Sequence, residues 1–204
     1  MLTVHTLPLG NYQTNTYIVY AGGATSCAII DPGFEAEVIL AKVKSLGLTV
    51  DAILLTHGHF DHVGAVETIV EETGCQLWMH EGDWSQPIDP VHHFFYPIAN
   101  CDFTEVQFCE EGEAIQAGGL TFRVLETPGH TWGSVCYSCE NVLFTGDTLF
   151  ARSCGRTDLP GGDYKTLIQS LQRLAQLQGD PAVCPGHGES TTLSAEKLYN
   201  PYMR

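Results

Sequence analysis

Positive charge is scarce in this chain. Nine Lys and Arg face 24 Asp and Glu, for a formal net charge of −15. Nucleic-acid partners need clustered cations against the phosphate backbone, so that class is excluded as an expectation. Attraction to an anionic membrane surface is excluded on the same ground. Long apolar runs are also missing: none reaches the roughly 18 residues of a membrane span. The first ten residues, "MLTVHTLPLG", have neither a basic n-region nor a long apolar h-region, and no signal peptide is expected. No linker, recognised repeat or low-complexity segment interrupts the chain. A second C-x-x-C is absent too. The single one, Cys136 to Cys139, stands among scattered Cys27, Cys75, Cys101, Cys109, Cys154 and Cys184. These eight read as reduced, mostly buried thiols of a cytoplasmic protein rather than a zinc or disulfide framework.

What is present is an ordinary globular composition. Apolar residues make up 44% of 204 positions, enough for a sizeable core. We expect one domain over residues 1–204. "NTYIVY" and "SCAIID" flank a Gly-containing turn and read as a hairpin. Helical spacing follows in "EAEVILAKVKSLGL", then a buried strand in "VDAILL", a helix in "AVETIVEETG" and a strand in "CQLWMH". Residues 81–104 lack periodicity and read as an ordered loop with a helical turn; its Trp84, Phe94, Phe95 and Tyr96 could wall a substrate site. Strands return in "VQFC", "LTFRVLET", "SVCYSC" and "NVLFTG". The helix "YKTLIQSLQRLAQL", the strand "AVCPG" and the short helix "SAEKLYNPYM" complete the chain. Two runs of strands, each with helices, suggest a four-layer α/β/β/α sandwich.

The chemistry concentrates at strand ends. "LLTHGHFDHVG" carries His57, His59, Asp61 and His62 directly after an apolar run. His57 and His59 are two apart, so an extended backbone turns both to one side. "TPGHTWGS" adds His130, "FTGDTLF" adds Asp147 and "CPGHGES" adds His187, each on a loop past a strand. Five imidazoles and two carboxylates suit Zn²⁺, with Fe²⁺ and Mn²⁺ as alternatives. Seven donors exceed one tetrahedral ion and fit two divalent metals a few ångströms apart, bridged by one carboxylate. His5, His80, His92 and His93 stand alone and read as ordinary histidines.

The motif "THGHFDH", with G-H-T, T-G-D and P-G-H-G in that order, resembles the metallo-β-lactamase superfamily. Within it, "TPGHTWGSVCY" and "FTGDTLFARSCGRTD" resemble glyoxalase II, the hydroxyacylglutathione hydrolases. The resemblance implies a four-layer αββα sandwich. It implies that His57, His59 and His130 hold a first metal, that Asp61, His62 and His187 hold a second, and that Asp147 bridges them. It further implies hydrolysis of a thioester such as S-lactoylglutathione to lactate and glutathione, by a water activated between the metals, with Asp61 and Asp147 as catalytic groups. Arg156, after Cys154 and Gly155, stands where larger members carry a Lys near the substrate, and is expected to bind it. Those members also carry a C-terminal glutathione-binding helical domain, whereas this chain ends about 17 residues after His187; a short form of the enzyme is expected. "GRTD" also resembles the persulfide dioxygenases, which use one iron at the positions of His57, His130 and Asp147. That is the alternative reading.

Overall fold

The computed structural model describes residues 1–84 and 106–204. Its first sheet runs β1 (Leu2–Leu9), β2 (Thr14–Ala21), β3 (Ser26–Ile30), β4 (Thr49–Leu54), β5 (Gln76–Met79) and β6 (Val106–Phe108), in that spatial order. β1, β2 and β3 are antiparallel neighbours; β3 to β6 are parallel. The second sheet takes β7 (Ala114–Ala117), β8 (Leu120–Glu126), β9 (Val135–Cys139), β10 (Val142–Gly146), β13 (Ala182–Pro185) and β14 (Thr191–Thr192) in the order β14-β13-β10-β9-β8-β7. Only β10 and β13 run parallel in it. β11 (Leu149–Phe150) and β12 (Ser153–Cys154) form a separate hairpin.

Period-two patterning sorts the strand residues into layers. In β2 to β4, Tyr17, Val19, Ala28, Ile30, Ala52 and Leu54 face the second sheet, and meet Phe122, Val124, Val135, Tyr137 and Phe144 there. The alternate residues Ile18, Cys27, Ile29 and Ile53 face outward, under α1 (Ala36–Ser45) and α3 (Val66–Thr73). On the far side, Cys136, Leu143 and Val183 pack beneath α5 (Tyr164–Ala175) and α6 (Leu193–Tyr199) through Leu167, Leu171, Leu174 and Leu193. The expected helix–sheet–sheet–helix layering is therefore the observed one. Two one-turn helices, α2 (Phe60–Val63) and α4 (Glu81–Trp84), sit at the sheet edge.

The same alternation disposes of the C-x-x-C. On a strand, residues three apart point to opposite faces. Cys136 lies under the helices and Cys139 between the sheets, so the pair cannot share a metal. All seven described cysteines are free, and burial pushes the Cys27 and Cys136 thiols up to about 12. The helical turn expected within 81–104 is α4. Trp84 packs on the outer core and edge-on to Phe108; Phe94, Phe95 and Tyr96 lie outside the described residues. β1, β7, β14 and the β11–β12 hairpin are additions that local periodicity missed.

Strand direction places the chemistry. β3 and β4 end at one edge of the first sheet; β8, β10 and β13 end at one edge of the second. These two edges are stitched together. Thr56 O accepts from Val135 N at 2.8 Å, and Gly186 O accepts from Asn15 N at 2.7 Å. Tyr137 Oη donates to Leu55 O, and Tyr17 Oη to Pro185 O. Loops after the strands of both sheets therefore converge on one crevice, as ligand sites at carboxyl ends of strands do. Among the described residues no helix is long and apolar enough to cross a membrane.

Candidate metal centre

Each functional side chain arrives on a loop just past a strand. β4 ends at Leu54, and a short loop leads to His59, whose φ of −68° and ψ of 145° precede α2. Asp61 and His62 then fall on the first turn of α2. His130 follows β8. Asp147 follows β10, where the register to β13 slips between Phe144 and Gly146 and re-aims the next side chain. His187 follows β13, tied to β2 by a bridge to Thr14. Gly186 is required here: a Cβ would collide with Asp147 Oδ1 and His62 Cε1.

All seven residues predicted as ligands meet. His57, His59 and His130 each present a ligand atom within 4.8 Å of the others, and so do Asp61, His62 and His187. Asp147 lies between these clusters: Oδ1 is 3.4 Å from His62 Nε2, and Oδ2 is 3.6 Å from both His130 Nε2 and His187 Nε2. His57, His59, His62 and His130 are all buried.

Hydrogen bonds set the tautomers. His62 Nδ1 donates to Asp31 Oδ2 at 3.0 Å, His130 Nδ1 to Arg156 O at 2.7 Å and His187 Nδ1 to Tyr12 O at 3.2 Å. Thr56 Oγ1 donates to Asp31 Oδ2 at 2.7 Å and therefore accepts from His57 Nδ1 at 3.0 Å. With Nδ1 protonated, four rings turn an Nε2 lone pair inward. Inside, His57 Nε2, His62 Nε2 and Asp147 Oδ1 are buried and make no hydrogen bond. Buried polar atoms are almost always satisfied. Imidazole nitrogens and a carboxylate that converge without a full set of hydrogen bonds are the donor set that divalent cations take.

The electrostatics differ between the clusters. Burial, reinforced by neighbouring imidazoles, holds His57 well below the usual histidine range and His59 down at about 3. Burial acts the same way on His62 but is outweighed by Asp147 and Asp31, which raise it well above that range. His187 is likewise raised against its burial, by Asp61 and Asp147. Asp147 is pulled below the usual carboxylate range against its own burial by His62, His130 and His187.

Two residues that sequence reasoning passed over support the site. Asp31, read only as the end of the strand "SCAIID", accepts from Thr56 N, Thr56 Oγ1 and His62 Nδ1. Its φ of 49° is a mark of special backbone. Asp83 on α4 accepts from Gly58 N at 3.0 Å, Thr131 Oγ1 at 2.6 Å and Gly133 N at 2.8 Å. It clamps the His57–His59 loop to the His130 loop. No local signal announces it.

A cleft of about 400 Å³ opens over the centre, lined by Asp61, Asp147 and His187 together with Tyr12, Phe60, Phe150 and Arg156, among others. Arg156, expected from the sequence as a substrate contact, is among the lining residues, and its guanidinium is held bidentately by Asp158 at 2.6 and 2.7 Å. The cleft, the paired edges and the seven inward donors define a metallohydrolase-type centre. This chain belongs to the metallo-β-lactamase superfamily, whose family model matches residues 9–187. Among its relatives is the hydroxyacylglutathione hydrolase GloC of Haemophilus influenzae, 35% identical, with 99% of this chain and 98% of that protein covered. The solved structure of TTHA1623 in a di-iron-bound form is 39% identical, with a TM-score of 0.83 and 98% and 100% of the two chains covered. The BLEG-1 B3 metallo-β-lactamase is 36% identical, with a TM-score of 0.85 over 100% and 99%.

Proposed function

We propose that this chain is a binuclear metal-dependent thioester hydrolase of the glyoxalase II kind, acting on S-lactoylglutathione. The observation that carries the reading is the Asp147 carboxylate, set between two three-residue clusters at the floor of an open cleft. His57, His59 and His130 would hold one divalent ion, and Asp61, His62 and His187 the other. The likeness to GloC supports the thioester and glutathione. The di-iron form of TTHA1623 supports iron as an alternative to zinc.

When bound, such ions supply Lewis acidity and bring the pKa of a water toward neutrality. The residues of the chain do the rest. Asp61 lines the cleft, with Oδ2 held by Thr14 Oγ1 at 3.2 Å; its carboxylate orients the attacking water and takes up its proton. Asp31 keeps the proton of His62 on Nδ1 and so keeps Nε2 available. Arg156 receives a carboxylate of the thiol portion, exchanging it for Asp158. The departing thiol has a pKa of roughly 8.5, so its thiolate leaves near neutrality with no general acid.

The test is hydrolysis of S-lactoylglutathione by protein whose metal content has been measured, with and without chelator. Glutathione release that the chelator abolishes is expected. A metal-replete protein that leaves the thioester intact but consumes oxygen with glutathione persulfide would be the dioxygenase instead.

A further inference from the structure

The cleft has a polarity that the metal ligands do not require. One end carries Arg156 and belongs to the first cluster: the Arg156 carbonyl accepts from His130 Nδ1, the residue lines the cleft, and its guanidinium is paired with Asp158. The other end is aromatic and belongs to the second cluster: the Tyr12 carbonyl accepts from His187 Nδ1. Phe60 stands between His59 and Asp61 in the chain and lines the cleft. Tyr12 meets Phe60 edge-on at 5.2 Å between ring centroids and stacks on Phe34 at 6.5 Å; Phe34 and Phe60 are 6.4 Å apart. Tyr12 is 59% exposed despite these contacts. Single exposed apolar residues are ordinary; three touching rings beside a reactive centre form a patch that a ligand would cover.

The charge distribution decides which part of a substrate goes to which end. The chain has nine Lys and Arg, none of them between residues 85 and 105. Of the nine, only Arg156 lines this cleft. In a glutathione thioester the carboxylates sit on the thiol portion, which therefore extends toward Arg156. The acyl portion then extends toward His187, Tyr12 and Phe60. We propose that the Tyr12–Phe34–Phe60 cluster is an acyl subsite that selects aryl or extended apolar acyl groups over the small lactoyl group. The proposal rests on the thioesterase reading and names its substrate class.

The experiment compares kcat/KM of the metal-replete enzyme for S-mandeloylglutathione and S-lactoylglutathione, which differ by a phenyl in place of a methyl. A preference for the mandeloyl thioester of about tenfold or more is expected. Tyr12→Ala should bring the ratio toward one. Tyr12→Phe, which keeps the ring, should retain it. Tyr199→Ala, an exposed aromatic outside the cleft, should not change it. A wild-type preference for the lactoyl thioester overturns the inference, as does a Tyr12→Ala variant that slows both substrates in proportion. Hydrolysis of neither by metal-replete enzyme overturns the thioesterase reading and this subsite with it.

Discussion

The two halves of the metal centre are built to opposite electrostatic designs. His57, His59 and His130 are three buried imidazoles with no carboxylate of their own. Burial and mutual repulsion keep His57 and His59 neutral, so a cation arriving there displaces no proton from them. Asp61, His62 and His187 mix a carboxylate with two imidazoles, and nearby carboxylates raise both histidines. A cation entering that cluster competes with protons. One imidazole chemistry thus gives two kinds of site, set by whether the nearest charges are other histidines or aspartates.

The largest effect should come from removing the group the halves share. Asp147→Ala is expected to lose both metals and to lower kcat by about 10³-fold or more. Elemental analysis of the purified variant is the check, and normal metal content there would remove Asp147 from the bridge. Next come changes that strike one half. His57→Ala and His187→Ala should each reduce bound metal from two ions per chain to one. The ion retained by His187→Ala should be the acid-resistant one.

Acid itself separates the halves. The raised values of His62 and His187 mean that protons occupy them up to a higher pH than an ordinary histidine. The lowered values of His57 and His59 mean that they stay open to lower pH. Dialysis at steps from about pH 8 to about pH 5 should therefore empty the mixed cluster first, read as metal per chain. Simultaneous loss of both ions would erase the distinction. Asp31→Asn acts on the mixed half through His62, and should weaken metal binding by about 10- to 100-fold in a chelator competition. Arg156→Ala should have the smallest effect. Its pair with Asp158 is exposed on both sides and contributes little stability, so Tm should hold. KM for an anionic thioester should rise by about fivefold, the worth of one exposed charge contact. An unchanged KM would leave Arg156 as the partner of Asp158 and as a backbone acceptor for His130.

Legibility in the sequence tracked the distance over which a residue acts. His57, His59, Asp61 and His62 declare themselves because they lie within six positions after an apolar strand. His130, Asp147 and His187 are readable because each sits beside a glycine at a strand end. Asp31 and Asp83 work across the fold, and a lone Asp in "DPG" or "GDW" looks like any turn residue. Trp84 could be read equally well as cleft wall or as core, and only its neighbours make it core. The β11–β12 hairpin and β14, two residues per strand, are too short to show a period.

The sequence by itself determined the layers, because period-two and period-3.6 patterning dictate which face each element must bury. It also determined the kind of donors, because imidazole and carboxylate set the chemistry wherever they stand. The tertiary structure decided which donors cluster together, which hydrogen-bond partner each ring finds and where protons compete. It also gathered Arg156 and the Tyr12 and Phe60 rings around one cleft. Those are properties of distances between loops brought together by two sheets, and no spacing along the chain encodes them.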